Sequence, residues 1–253
     1  MKTILITGCS SGFGLDTARH FLEHGWKVIA TMRKPREDVL PRSEHLRVLQ
    51  LDVTDPASIR KLVEDAGPID VLVNNAGVGL MGIFEGTAME TIRGTFETNL
   101  FGAMAVTQAF LPGFRQQKAG VIVNVSSGTT LKPLPLLSVY SASKAALNMF
   151  TESLALELQP FGVRVSLVIP GRSPETSFSK NAQARGQAQG VNAPEAYAGF
   201  VRSIFEQRAA HASGPVTRSQ DVVEAIWRAV NDPSSPLRLP AGADAVEMAR
   251  AGT

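Results

Sequence analysis

The chain has 253 residues, 44% of them hydrophobic, which is enough to bury one large core, and no linker or internal repeat divides it. Lysine and arginine number 25 against 23 acidic residues, and a net charge of +2 gives no reason to expect nucleic acid or a membrane as partner. The single Cys9 excludes an intramolecular disulfide, has no metal-ligand neighbours and fits a reducing, cytoplasmic setting, so no metal is expected.

Met1 to Ile6 runs into glycines too soon for a signal peptide, and Thr3-Ile4-Leu5-Ile6-Thr7 reads instead as a short buried parallel strand. It feeds into Gly8-Cys9-Ser10-Ser11-Gly12-Phe13-Gly14, after which Leu15, Ala18, Phe21 and Leu22 recur at helical spacing. Strand, glycine turn and helix in that order make a dinucleotide site. Gly8 permits the tight turn, and Gly12 and Gly14 let backbone approach a pyrophosphate that meets the free amides of the helix N-terminus. Ser10, Ser11 and Phe13 complete this cofactor-binding turn. The spacing is G-x-x-x-G-x-G, not G-x-G-x-x-G.

The second strand, Val28-Ile29-Ala30-Thr31, lacks the terminal acid that binds the ribose hydroxyls of NAD. Thr31, Arg33 and Lys34 offer a hydroxyl and two cations suited to a 2′-phosphate, whereas Glu37 and Asp38 come too late. NADP is therefore expected ahead of NAD; the alternative is that Arg33 and Lys34 are solvated loop charges. Val48 to Leu51 and Val71 to Asn74 read as strands, with Asp55 capping a helix that starts at Pro56. A long helix is predicted over 88–117 and a strand over 121–125. That strand ends in Ser126-Ser127, where Ser126 caps the strand end and Ser127 points a hydroxyl into the crevice at the carboxyl edge of the sheet.

A further helix begins near Ser138 and ends before Phe161-Gly162. Within it Tyr140 and Lys144, four residues apart, share one face, and a cation beside a phenol favours the phenolate. Thirteen residues separate Ser127 from Tyr140, and both hydroxyls can reach one substrate oxygen. Val163 to Ile169 is the next strand, helices follow near 194–208 and 219–231, and Leu237-Arg238-Leu239 is a last short strand. Strands alternate with helices as a parallel α/β sheet demands.

Thr7-Gly8-x-x-x-Gly12-x-Gly14, Asp52-Val53, Asn74-Asn75-Ala76-Gly77, Asn99, Ser127, Tyr140-x-x-x-Lys144 and Pro170-Gly171 together resemble the motif series of the short-chain dehydrogenase/reductases, over about residues 2–170. The resemblance implies one Rossmann-like domain over 1–253, a doubly wound α/β/α sandwich on a mainly parallel sheet of about seven strands. It also implies hydride transfer between a nicotinamide cofactor and a carbonyl or secondary alcohol. Carried over, Tyr140 is the general acid/base, Ser127 polarises the substrate oxygen, and Lys144 lowers the tyrosine pKa and binds the ribose. Asn99 holds a relay water, Asp52 meets the adenine amino group with Val53 under the ring, and Asn75, Ala76 and Gly77 close over the cofactor through backbone. The family also implies a homodimer or homotetramer formed through helices at about 88–117 and 138–160.

Family members place a threonine four residues after the glycine of the Pro-Gly pair, to contact the cofactor carboxamide. Here Thr176 stands five residues after Gly171, so either the loop bulges at Pro174 or Ser173 takes its place. Residues 172–215 are expected to form a mobile lid, and Leu131, Pro133, Leu134, Pro135, Leu136 and Leu137 either line an apolar pocket or cover the core. An apolar or aromatic carbonyl compound or alcohol is the expected substrate. The contrasting reading is a catalytically silent NADP(H)-binding sensor or scaffold of the same fold.

Overall fold

The β-branched and leucine-rich runs bury alternate side chains on opposite faces of one sheet, which is why they read as continuous apolar segments. Ile4 and Ile6 enter one core and Leu5 the other, and Val121 and Val123 oppose Ile122 in the same way. A computed structural model of the chain describes residues 1–188, 191, 193–210 and 213–251. Its strands are β1 (Thr3–Ile6), β2 (Lys27–Met32), β3 (Leu46–Gln50), β4 (Val71–Asn74), β5 (Gly120–Val125), β6 (Val163–Pro170) and β7 (Arg238–Ala241). They form a seven-stranded sheet in the order β3-β2-β1-β4-β5-β6-β7, with every pair parallel.

Helices α1 (Gly12–Glu23), α2 (Pro56–Ala66), α3 (Met89–Phe96), α4 (Gly102–Gln117), α5 (Ser138–Leu158), α6 (Phe178–Ala188), α7 (Ala198–Ala210), α8 (Ser219–Asn231) and α9 (Ala243–Ala251) supply the outer layers. α1 and α8 pack Ala18, Phe21, Val222 and Ile226 on one face of the sheet; α2, α4 and α5 pack Leu62, Phe110, Phe114 and Leu154 on the other. The result is the doubly wound, three-layer arrangement that the alternation of elements demands.

α2 starts as its sequence dictates. Asp55 Oδ1 accepts from Ala57 N at 2.8 Å, and Pro56 fills the first helical position, where a backbone N–H is not needed. The helix predicted over 88–117 is interrupted by a π-helical turn at Glu97–Phe101 between α3 and α4. α6 falls inside the segment expected to be a lid, and α9 follows β7 where no helix was predicted. α6 (FSKNAQARGQA) carries too few apolar residues to announce itself by periodicity. Among the described residues no helix is long and apolar enough to cross a membrane.

Candidate active site

The strand order reverses between β1 and β4, and the crevice at the carboxyl ends of a parallel sheet opens at such a reversal. Both walls of that crevice are fixed by short side chains. Thr7 Oγ1 accepts from the backbone N of Asn75 at 3.0 Å and of Ala76 at 2.9 Å, while Asn75 Nδ2 donates to the carbonyls of Thr7 at 2.9 Å and Gly8 at 3.1 Å. A Cβ on Gly14 would overlap Asn75 Nδ2, so only glycine lets α1 start so close to this strut. Gly8 and Gly12 hold left-handed backbone at φ +77° and +59°. Ser10 and Ser11 are exposed on the same turn.

No side chain caps the N-terminus of α1 and no acid lies in its first turn, so its amides are available to an anion, as a pyrophosphate requires. Beyond β2, Arg33 and Lys34 are exposed, and the charge of Arg33 reaches both Asp52, whose pKa lies below the usual carboxylate range mainly through hydrogen bonds from Thr54, and Arg185 of α6. Thr31 does not join them. It is fully buried and its hydroxyl donates to the Ile6 carbonyl at 3.1 Å, because the pleat of β2 turns it into the sheet. Asp52 Oδ1 accepts from Thr54 N at 2.9 Å and Oγ1 at 2.7 Å, and Val53 is buried against Gly102. Cys9 is fully buried with its thiol pushed up to about 12 by desolvation, which suits a filler.

Ser127, at the end of β5, and Tyr140 and Lys144, on α5, converge beside this crevice. A hydrogen bond joins the hydroxyls of Tyr140 and Ser127, and Ser127 Oγ also accepts from Thr129 N at 3.3 Å. Lys144 Nζ donates to the Val125 carbonyl at 2.9 Å. The expected lowering of the tyrosine pKa is not what this structure holds, and Lys144 is not among the causes of its shift. Burial of the phenol raises Tyr140 to about 12 with the Ser127 hydrogen bond opposing, while burial lowers Lys144 to about 8. Ser126 does not cap the strand end; its hydroxyl donates to Asn148 Oδ1 on α5.

The π-turn swings Asn99 inward. Its Oδ1 accepts from Val78 N at 2.8 Å, and its Nδ2 donates to the Val78 carbonyl at 2.9 Å and to Ser143 Oγ at 3.0 Å. Ser143 in turn donates to the Tyr140 carbonyl at 2.7 Å, so one asparagine ties the loop after β4 to the helix bearing Tyr140 and Lys144. A Cβ on Gly77 would stand 3.3 Å from Asn99 Oδ1 and 3.5 Å from Lys144 Nζ, which leaves room beside both only because the residue is glycine.

The segment after Pro170-Gly171 turns at Pro174-Glu175 and brings Thr176 over the phosphate turn, its Cγ2 3.5 Å from the Cβ position of Gly12. The turn falls at Pro174, where the bulge was expected. Ser173 is buried, and its hydroxyl has no hydrogen-bond partner among the described residues. The Phe178 ring, at the start of α6, lies 5.5 Å from that of Tyr140. α6 packs against the loop after β4, with Gly79 facing Ala182 and Gly186 facing the Met81 carbonyl. Of the leucines expected along the wall, Leu136 is buried with Ile83 and Ile204 in a small separate core, Leu134 points to solvent, and Leu131 and Leu137 are half-buried. Thr7 and Ser143 hold the site together but were not singled out as site residues, since their partners lie 68 and 44 residues away in sequence.

The family model described as short chain dehydrogenase matches residues 2–186. The 3-ketodihydrosphingosine reductase of Bacteroides thetaiotaomicron is 40% identical over 208 residues, 80% of this chain and 74% of that protein. Retinol dehydrogenase 8 of Homo sapiens is 35% identical over 249 residues, 94% of this chain and 80% of that protein. Among solved structures, the closed form of a serine dehydrogenase complexed with NADP+ matches with a TM-score of 0.79 at 28% identity, covering 94% of this chain and 93% of that one. A short chain dehydrogenase/reductase from Burkholderia phymatum in complex with NAD matches with a TM-score of 0.77 at 26% identity, covering 94% and 88%.

Proposed function

We propose that this chain, which belongs to the short-chain dehydrogenase/reductase family of NAD(P)-dependent oxidoreductases acting on CH–OH groups, is an NADP-dependent reductase of apolar or aromatic carbonyl compounds and catalyses the reverse oxidation of the corresponding alcohols. The observation that carries this reading is the hydrogen-bonded pair of Ser127 and Tyr140 hydroxyls, with Lys144 one helical turn from Tyr140 and bonded to the Val125 carbonyl of the strand that leads to Ser127.

The bound nicotinamide would supply or accept hydride. The residues of the chain do the rest. Tyr140, held neutral by burial at physiological pH, donates its proton to the carbonyl oxygen as that oxygen gains charge. Ser127 donates a hydrogen bond to the same oxygen and fixes its position. Lys144, adjacent on the helix, would hold the ribose hydroxyls, and Asn99 keeps the 77–78 segment and α5 in register with a relay water as its expected further ligand. The amides of α1 and the turn at Gly8, Ser10, Ser11, Gly12, Phe13 and Gly14 would take the pyrophosphate, and Arg33 the 2′-phosphate. Asp52 and Val53 would meet the adenine, Asn75, Ala76 and Gly77 would close over the cofactor through backbone, and Pro170, Gly171 and Thr176 would take the nicotinamide end.

Phe178 over Tyr140, with Leu131 and Leu137 nearby in the chain, supports an apolar substrate. Two relatives are named for retinol and for 3-ketodihydrosphingosine, both of which carry a long hydrocarbon portion. The described part of 172–215, with α6 and α7, acts as the lid over the substrate; 189, 190, 192, 211 and 212 lie outside the described residues. The exposed apolar side chains of Phe101, Met149, Leu156 and Phe161 on or beside the π-turn and α5 support a homo-oligomer, and the single cysteine supports a reducing, cytoplasmic setting.

The test is titration with NADPH and NADH, followed by ketones while nicotinamide absorbance is recorded. NADPH oxidation that depends on ketone, and a Tyr140→Phe variant that binds cofactor normally but turns over on the order of a thousandfold more slowly, are expected. Tight binding without turnover on any carbonyl or alcohol would favour the sensor reading.

A further inference from the structure

We propose that Asp244, acting through Thr217, is a positioning residue that fixes the peptide planes of Pro170–Arg172 and thereby the wall against which the nicotinamide end of the cofactor rests. The inference rests on the nicotinamide-binding reading above and adds to it a pair of residues far from the motifs that define the site.

The geometry is specific. Where the chain leaves β6, Gly171 N donates to Thr217 Oγ1 at 2.8 Å and Arg172 N donates to Asp244 Oδ2 at 2.6 Å. Thr217 N donates back to the Arg172 carbonyl at 2.8 Å, and the Thr217 hydroxyl lies 2.7 Å from Asp244 Oδ1 and 2.8 Å from the Ala241 carbonyl. Thr217 is fully buried and Asp244 is 8% exposed. Two glycines make room for the pair. A Cβ on Gly171 would overlap the Asp244 carboxylate, and one on Gly242, which holds φ +97°, would overlap the Thr217 hydroxyl.

A trans peptide points its N–H and C=O in opposite directions. With Gly171 N turned toward Thr217, the Pro170 carbonyl faces the other way, onto Gly128, where it would lie 3.2 Å from a Cβ. Gly128 directly follows Ser127, so this carbonyl is on the crevice side. The two peptides that follow the strand end are thus held from behind, at Arg172 N by Asp244 directly and at Gly171 N through Thr217, with the Ala241 carbonyl sharing the latter at 3.4 Å. Among the described residues Asp244 makes no salt bridge, and the donors to its oxygens there are the Arg172 backbone and the Thr217 hydroxyl.

The experiment compares the full-length protein with Asp244→Asn, Thr217→Val and Thr217→Ser, measuring dissociation constants for intact NADPH or NADH, whichever the wild type binds more tightly, and for the same molecule lacking nicotinamide (ADP-ribose or its 2′-phosphate). Asp244→Asn and Thr217→Val should weaken the intact cofactor roughly tenfold while the truncated one changes by less than about twofold, and Thr217→Ser should keep both. Should Asp244→Asn fail to fold, the two Thr217 variants give the same comparison. Equal loss for both molecules, or no loss for either, overturns the inference while leaving the nicotinamide reading intact. A wild-type protein that binds neither NADPH nor NADH overturns both.

Discussion

Tyr140 and Lys144 sit one helical turn apart, yet burial drives them in opposite directions: the phenol up to about 12 and the ammonium down to about 8. Each shift disfavours the charged form of its group, which is what a poorly hydrated cleft does. Because the folded value for Lys144 lies below the 10.5 of a free lysine, the unfolded state holds more protons between about pH 8 and 10.5, and stability climbs with pH across that window. Replacing Lys144 with Met should therefore flatten the climb. Urea unfolding at pH 7.5 and 9.5 is expected to show the wild type gaining about 2 kcal/mol more than the variant between those points, below the range in which Tyr140 reverses the trend. At the other end of the crevice, Arg33→Asp should shift the ratio of NADPH to NADH affinity by at least about tenfold toward NADH. Unchanged NADPH affinity would show that the 2′-phosphate binds elsewhere.

At the scale of elements, two features place the chemistry. The π-turn at Glu97–Phe101 is too short a deviation to be visible in a helical repeat, and it is what aims Asn99 at Val78 and Ser143. α6 is held on the loop after β4 by small residues, with no room for a side chain at Gly186 before the Met81 carbonyl, 2.5 Å from a Cβ there. Gly186→Leu is accordingly expected to lift α6. Trypsin should then cut at Lys180 or Arg185 at least about fivefold faster, with the melting temperature of the sheet little changed. Equal cleavage rates would mean that α6 does not depend on this contact. The strands, α1, α2, α5 and α8 were legible because their apolar spacing or caps are local. α6 and α9 were not, since α6 is held by fit against another segment and α9 is tied to β6 through Asp244.

For the molecule as a whole, the all-parallel order with its reversal between β1 and β4 brings the glycine turn, the Asn75 strut, Ser127 and Tyr140 to one edge of the sheet. The same order leaves α5 with an outward face that carries Met149 at 63% and Leu156 at 73% exposure. If that face joins copies of the chain, a Met149→Lys, Leu156→Glu double variant should fall to the mass of a single chain by light scattering, and an unchanged mass would move the interface elsewhere. By itself the sequence determined the alternation of strands and helices, the glycine turn between β1 and α1, the placing of Tyr140 and Lys144 one turn apart on one helix, and the family, because each depends on residue type at short, fixed spacing. Only the tertiary structure decided that Thr31 faces the sheet and not the ribose, that Thr176 reaches Gly12 through a turn at Pro174, that Leu136 belongs to a separate small core, and that Asp244 and Thr217 stand behind Gly171. These depend on which segments meet across the fold and on which side of a pleat a residue falls, and packing sets both.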